Sequence, residues 1–330
     1  MSGNVKGPSN FPFQNTTGNL RKEEQQDMSE INLYLVGFLL AVITIMAIFG
    51  NFIIIVAVSK KKLCWEKTFA SLLNLTINDL FAGICLIPLC LANLVAQKQL
   101  YTTAASCDFV AILYTFNAVF SQLSIALLAI ERYVMLRFPL EHRRWFAKSV
   151  VAASRACLLI ITTILSIVPT LFLKSVYHTE LHLCLFDLDK KITGTLIFMG
   201  ISLLIPWLAL IYCSAGVAII VWKRRNTAER TSNIPMERQE ERTVVSQYRR
   251  EIRSSVVILT IVLVFTGCNL PLMITFICDI SGYCRWPKKA MVASVLIFFS
   301  RSALNPLMYG LSNIRMRGII MDLLHCNTYE

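Results

Sequence analysis

Charge is what this sequence is short of. Asp, Glu, Lys and Arg make up 16% of the 330 residues, against 55% apolar types, where a water-soluble domain carries roughly 25% charged residues. The apolar excess must therefore face something other than water. Histidine is scarcer still: His142, His178, His182 and His325 are the only four, and all fall outside the long apolar stretches. No intramembrane metal cluster can be built from them, and His178 and His182, near Cys184, read as a solvated loop pair rather than metal ligands. The first 30 residues lack the basic-then-apolar order of a cleavable leader. No internal repeat is visible, which counts against a transporter, and polar residues gather at one level instead of lining a path, which counts against a channel. Catalysis is not expected, and neither is a cofactor.

What is present is a set of apolar stretches of roughly 20 residues or more, the length a helix needs to cross about 30 Å of hydrocarbon. They run over about 31–58, 68–94, 104–136, 149–173, 192–222, 252–279 and 288–310. The fold class is therefore an all-α membrane protein with a seven-transmembrane helix bundle. The net charge of +12 could suggest nucleic acid, but the basic residues are placed otherwise. Lys60, Lys61, Lys62 and Lys67 follow the first span, Arg137, Arg143, Arg144 and Lys148 follow the third, and Lys223, Arg224, Arg225, Arg249 and Arg250 lie between the fifth and sixth. Those alternate loops share one side, which the positive-inside rule makes cytoplasmic. The N-terminus is then outside.

Residues 1–30, polar and containing Pro8 and Pro12, are expected as a flexible extracellular tail, and Asn15-Thr16-Thr17 within it is a glycosylation acceptor pattern. Asn74-Leu75-Thr76 matches the same pattern inside a span and is set aside. The bundle takes 31–310, with a polar third cytoplasmic loop at about 223–251. Residues 311–330 follow, where Ile314, Met316, Ile319, Ile320, Leu323 and Leu324 alternate with Arg315, Arg317 and Asp322 as an amphipathic eighth helix on the inner leaflet. Cys326 at its end is either an acylation site or a plain exposed thiol. Of the 11 cysteines, most lie in apolar segments as buried thiols. Cys107, Cys184, Cys278 and Cys284 fall near the outer ends of spans, where the compartment is oxidising.

Ionisable groups at mid-membrane cost roughly 2.5–3.5 kcal/mol each on insertion scales. Asp79 sits well inside the second span and Arg301 is too deep in the seventh to snorkel fully, whereas Arg155 can reach the inner surface. Asn117 and Ser121 lie one turn apart on one face of the third span, above Glu131-Arg132-Tyr133 at its inner end. Asn51, Asn269, Ser302 and Asn305 add groups that need internal partners. A central polar network around Asp79 is expected.

These residues and spacings resemble the rhodopsin-like (class A) G-protein-coupled receptors from about residue 31 to 326. Gly50-Asn51, Asn74-Leu75 with Asp79, Glu131-Arg132-Tyr133, Pro206, Pro271 and Asn305-Pro306-Leu307-Met308-Tyr309 stand in the family's order. The resemblance implies a plasma-membrane receptor that passes an extracellular signal to a heterotrimeric G protein, with arrestin and a receptor kinase as further partners, membrane lipids around it and no nucleic acid. It implies a bridge from Cys107 to Cys184, and the Cys278 to Cys284 spacing allows a second, smaller one. It places Glu131, Arg132, Tyr133, Glu251 and Tyr309 in G-protein coupling, with an Arg132 to Glu251 ion pair as the resting lock. Two departures stand out: Asn269 replaces the family's usual tryptophan, and Arg301 occupies a position that normally helps ring a sodium ion with the equivalents of Asp79, Asn117 and Ser121. The guanidinium of Arg301 is expected to replace that ion as the partner of Asp79, the alternative being that Arg301 turns toward a neighbouring helix and sodium still binds.

By the same resemblance the outward cavity is lined by Tyr114 and Thr115 of the third span and Phe198, Met199 and Ser202 of the fifth. Leu272, Met273 and Phe276 of the sixth and Val295 and Phe299 of the seventh complete it. Tyr114 stands where amine receptors carry an acid, and Phe299 where light-sensing members need a lysine, so a cationic amine and a retinal Schiff base are both disfavoured. An apolar or lipid-like ligand is the expectation. A peptide ligand and constitutive activity without an agonist are the alternatives.

Overall fold

The computed structural model describes residues 13–60, 67–96, 98–100, 103–178, 181–186, 192–231, 239–281, 287–312, 317, 318 and 321, with side chains from Leu33 onward in most of these. Among them, 7 helices are long and apolar enough to cross a membrane, over Leu33–Ser59, Leu72–Ala96, Ala104–Arg137, Ser149–Leu171, Thr193–Arg224, Ser255–Cys278 and Lys289–Met308. These match the seven apolar stretches of the sequence to within a few residues at each end. Large apolar side chains that remain exposed, such as Phe38, Phe49, Phe52 and Leu263, are what a lipid-facing surface requires.

The first span is part of α1 (Phe13–Lys60). Residues 13–30, expected as a flexible tail, are thus helical: Leu20 to Gln26 is a run of strong helix formers, and α1 begins just past Pro12, a residue suited to helix starts. Asn15 falls within this helix.

The second span is two helices, α2 (Lys67–Phe81) and α3 (Ile87–Ala96), joined by a π turn at Ala82–Leu86. The fifth is built alike, with α7 (Ile192–Met199) and α8 (Ile205–Thr231) joined by a π turn at Gly200–Leu204. Each π turn ends two residues before a proline, Pro88 or Pro206. A proline ring clashes with the carbonyl four residues back and offers it no N–H, and a widened turn relieves both problems.

The third span, α4 (Ala104–Arg137), starts at a capping box in which the Thr103 hydroxyl accepts from the Ser106 amide and Ser106 reciprocates. It stops at Phe138 because Pro139 follows and opens a short inner helix, α5 (Pro139–Trp145). The fourth span is α6 (Lys148–Ile167), the sixth α9 (Gln239–Ser281) with Pro271 inside it, and the seventh α10 (Lys288–Ser312) with Pro306 inside it. Helix α4 is the axis of the bundle, touching α2, α6, α8 and α9. An inner cluster around Ile54, Leu75, Ile125, Leu210 and Phe265 and an outer one around Leu40, Leu86, Tyr114, Val295 and Phe299 fill the interior.

Between the fourth and fifth spans an antiparallel hairpin, β1 (Ser175–His178) and β2 (Leu183–Phe186), lies over the outer end with Tyr177 opposite Cys184. The disulfide from Cys184 to Cys107 at the start of α4 holds it there. Cys278 is also disulfide-bonded, and Cys284 lies outside the described residues. At the end away from the hairpin α8 runs to Thr231 and α9 starts at Gln239, so much of the segment expected as a polar loop is helical. Of the expected eighth helix only Arg317, Gly318 and Met321 are described, all helical, and Cys326 lies outside the described residues.

Candidate functional site

A cavity of about 140 Å³ opens beneath β2 in the outer half of the bundle. Its wall brings together Tyr114, Thr115, Phe198, Ser202, Leu272, Met273, Phe276, Val295 and Phe299, nine of the ten side chains expected there. The tenth, Met199, has a side chain outside the described residues. The wall also includes residues that sequence reasoning missed: Gln122 and Val119 deeper on α4, Trp207 on α8, Phe298 on α10, and Leu183, Leu185 and Phe186 from β2. The β2 residues carried no signal in the sequence, because only the hairpin and its disulfide bring that loop over the opening. Gln122 did carry one, since it is an amide inside an apolar span beside Ser121.

The polar groups of this wall are mostly occupied. The Tyr114 hydroxyl donates to the carbonyl of Leu86, the last residue of the π turn, at 2.7 Å, so the ring and not the hydroxyl meets the cavity, 6.1 Å from the Phe299 ring. Ser202 Oγ donates to the Phe198 carbonyl at 2.6 Å. Asn269 Nδ2 donates to the Phe265 carbonyl at 2.7 Å. Gln122 is buried and its Nε2 finds no hydrogen-bond partner among the described residues. No acidic or basic side chain is among the described residues of the wall.

Below the cavity the expected polar network is present but divided. Asp79, fully buried, accepts from Ser302 Oγ at 2.8 Å and Asn305 Nδ2 at 2.6 Å. Asn51 joins this half by donating to the Ser302 carbonyl at 2.9 Å. Ser121, expected beside Asp79, instead accepts from Asn78 Nδ2 at 2.8 Å, and Asn78 and Asn117 also exchange side-chain to backbone bonds at 3.1 and 3.3 Å.

Arg301 does not pair directly with Asp79, contrary to the expectation. Its Nη2 donates to Asn117 Oδ1 at 2.8 Å and its Nη1 to Asn269 Oδ1 at 3.3 Å. The guanidinium carbon sits 4.1 Å from the Phe298 ring centroid and 5.5 Å from that of Phe265. The reason is helical geometry: neighbouring residues point about 100° apart around the axis, so when Ser302 faces Asp79, Arg301 faces α4 and α9. A planar fork with five donors can bridge two amide oxygens while stacking on aromatic faces, which a compact ammonium cannot do. Asp79 and Arg301 still attract one another through space.

At the end of α4 away from the hairpin Glu131 and Arg132 are buried, and Arg132 Nη1 lies 3.7 Å from Met135 Sδ. The Tyr133 ring meets Tyr212 edge-on, with centroids 5.8 Å apart, and packs on the bare backbone of Gly216, where an added Cβ would collide with it. The side chains of Glu251 and Tyr309 lie outside the described residues.

The sequence profile of the family described as 7 transmembrane receptor (rhodopsin family) matches residues 50–309. The human 5-hydroxytryptamine receptor 2C is 25% identical over 332 residues, covering 87% of this chain and 71% of that one. The RYamide receptor of Drosophila melanogaster is 24% identical over 263 residues, covering 76% and 55%. The crystal structure of squid rhodopsin shares the fold with a TM-score of 0.76 at 19% identity, covering 91% of this chain and 88% of that one. The two receptors are named for different ligands, so similarity alone does not supply one.

Proposed function

This chain belongs to the rhodopsin family of 7 transmembrane receptors, a multi-pass membrane receptor and not an enzyme, and we propose that at the plasma membrane it converts binding of an apolar, lipid-like ligand into activation of a heterotrimeric G protein. The observation that supports the ligand class is the cavity wall. It is mostly aromatic and aliphatic, the Tyr114 and Ser202 hydroxyls already hold carbonyls, and it offers no carboxylate to a cationic amine among the described residues. Burying an ammonium there without a counter-ion would cost several kcal/mol by the usual desolvation penalty (roughly, per ion).

The transmission we propose departs from the family pattern. Asn269 and Phe298 both line the cavity and both hold Arg301, so a ligand that displaces either also shifts the guanidinium. Arg301 in turn bonds Asn117 and acts through space on Asp79, which is tied to Asn305 and Ser302 on α10. A ligand that fits one arrangement of this set better than another shifts the receptor toward it, by no more than that difference in affinity. The output is placed at Glu131, Arg132, Tyr133 and Tyr309, with Glu251 as the resting partner of Arg132. Arrestin and a receptor kinase are the partners that would end the signal.

The test is expression in cells carrying separate readouts for several G-protein classes, first without ligand and then against apolar and lipid libraries, with amine and peptide sets as controls. An apolar hit that activates one class, and loses its effect when Phe299 is exchanged for Asp, supports the reading. Activation by amines or peptides alone overturns it.

A further inference from the structure

We propose that the cleft between α1, α3 and the outer half of α10 is a second binding site, for a single-chain amphiphile with an anionic headgroup. The cleft is larger than the central cavity, about 330 Å³, and its walls are apolar: Leu35, Leu39 and Leu40 from α1, Leu94 from α3, Val292 and Leu296 from α10. Leu35 and Leu39 are 53% and 37% exposed on the lipid-facing side of α1, so the cleft opens sideways to the bilayer and draws its occupant from there.

Two nitrogen-bearing side chains, Lys289 and His182, join the apolar lining, and no acidic residue does among the described residues. Lys289, at the start of α10, is exposed and can lay its aliphatic stem on the apolar wall with the ammonium at the outer surface. His182 is held with unusual care. Its backbone takes a left-handed φ of 53°, uncommon for a residue with a side chain. Its carbonyl accepts from Asn93 Nδ2 at 3.0 Å, and its Nδ1 lies 3.3 Å from the Tyr177 hydroxyl. An apolar slot open to lipid, with a fixed imidazole and a cation in its lining, suits an acyl chain ending in a carboxylate or phosphate. Val295 forms part of both this cleft and the central cavity, so an occupant touches the wall of the proposed agonist pocket.

The site can be tested without any signalling readout, so its failure is separable from failure of the receptor reading. The purified receptor in neutral phosphatidylcholine nanodiscs is titrated with oleate, 1-oleoyl lysophosphatidate, oleyl alcohol and inorganic phosphate, and occupancy is followed by native mass spectrometry. Saturable binding of one or both anionic amphiphiles is expected, with oleyl alcohol weaker and phosphate alone unbound; the tighter of the two anions identifies the headgroup. Lys289→Ala should weaken the anionic lipids roughly tenfold, the scale of one lost charge-assisted contact, and leave oleyl alcohol unchanged, while Lys289→Arg retains binding. Leu296→Trp, which fills the cleft, should remove all three lipids; if it does not fold, the Lys289 pair decides alone. Binding of neither anionic amphiphile more tightly than oleyl alcohol, or anion binding indifferent to Lys289→Ala, overturns the proposal.

Discussion

Arg301 is a cation 1% exposed at the centre of a membrane protein, and it is tolerated because two amide oxygens, two aromatic faces and the field of Asp79 share its charge. Exchanging it for Met leaves the Asn117 and Asn269 oxygens without their donor, at roughly 1–3 kcal/mol for each buried acceptor. A lower melting temperature in detergent is therefore expected for Arg301→Met, and Arg301→Lys should recover little of it, because an ammonium cannot bridge both amides. Combining Arg301→Met with Asp79→Asn should cost less than the two changes summed, since each alone strands a buried charge. Strict additivity would mean that the two groups do not interact. Gln122 presents the opposite case, a buried amide whose Nε2 lacks a partner among the described residues. Gln122→Leu removes an unsatisfied group worth roughly 1–3 kcal/mol. It should raise thermal stability, and if a ligand acceptor normally meets this amide, agonist potency falls in the same variant.

At the scale of elements, close approach of helices is what the bundle depends on, and two glycines permit it. A Cβ on Gly50 of α1 would lie 2.9 Å from the Pro306 ring of α10, and one on Gly216 of α8 would overlap Tyr133 of α4. Overpacking of this kind costs roughly 1–3 kcal/mol. Gly216→Val should therefore displace Tyr133 and weaken G-protein activation, and Tyr133→Ala in the same chain should restore thermal stability without restoring coupling. A melting-temperature series over the two single variants and the double checks this; an unperturbed Gly216→Val would show that the two helices are not in contact there. The π turns also have a role. The one before Pro88 ends in the carbonyl that receives the Tyr114 hydroxyl, so Tyr114→Phe should destabilise by roughly 1–3 kcal/mol although the ring keeps its place against Phe299.

For the whole molecule, the input and output ends are joined by α4, which carries Tyr114 and Gln122 at the cavity, Asn117 at Arg301, and Glu131-Arg132-Tyr133 at the cytoplasmic end. Arg132→Ala should abolish G-protein activation while surface expression, measured by antibody labelling, persists. Phe298→Leu keeps an apolar side chain in the cavity wall but removes the ring against which Arg301 stacks, so it should reduce signalling by more than it weakens ligand binding. A loss of signalling no greater than the loss of binding would mean that the Phe298 ring has no part in transmission beyond lining the cavity.

Seven spans could be read from one dimension because a bilayer leaves the chain few choices, and the family and nine of the residues that line the cavity followed from the motifs and the resemblance they carry. Every backbone polar group must be satisfied within the span, so apolar length alone marks a helix, and the motif residues then fix the register of each helix against the others. The charge of Arg301 and the departure at Asn269 were equally legible. What they touch was not: sequence put Arg301 opposite Asp79, while the rotation of α10 that gives Ser302 to Asp79 turns Arg301 to Asn117 and Asn269. The β2 roof, the division of the polar network, the fit of Tyr133 on Gly216 and the cleft beside α1 were likewise decided only by the tertiary structure. Hydropathy reports whether a residue sits in lipid or water, whereas these contacts depend on how helices are turned and how far apart they lie, which the packing of all of them together determines.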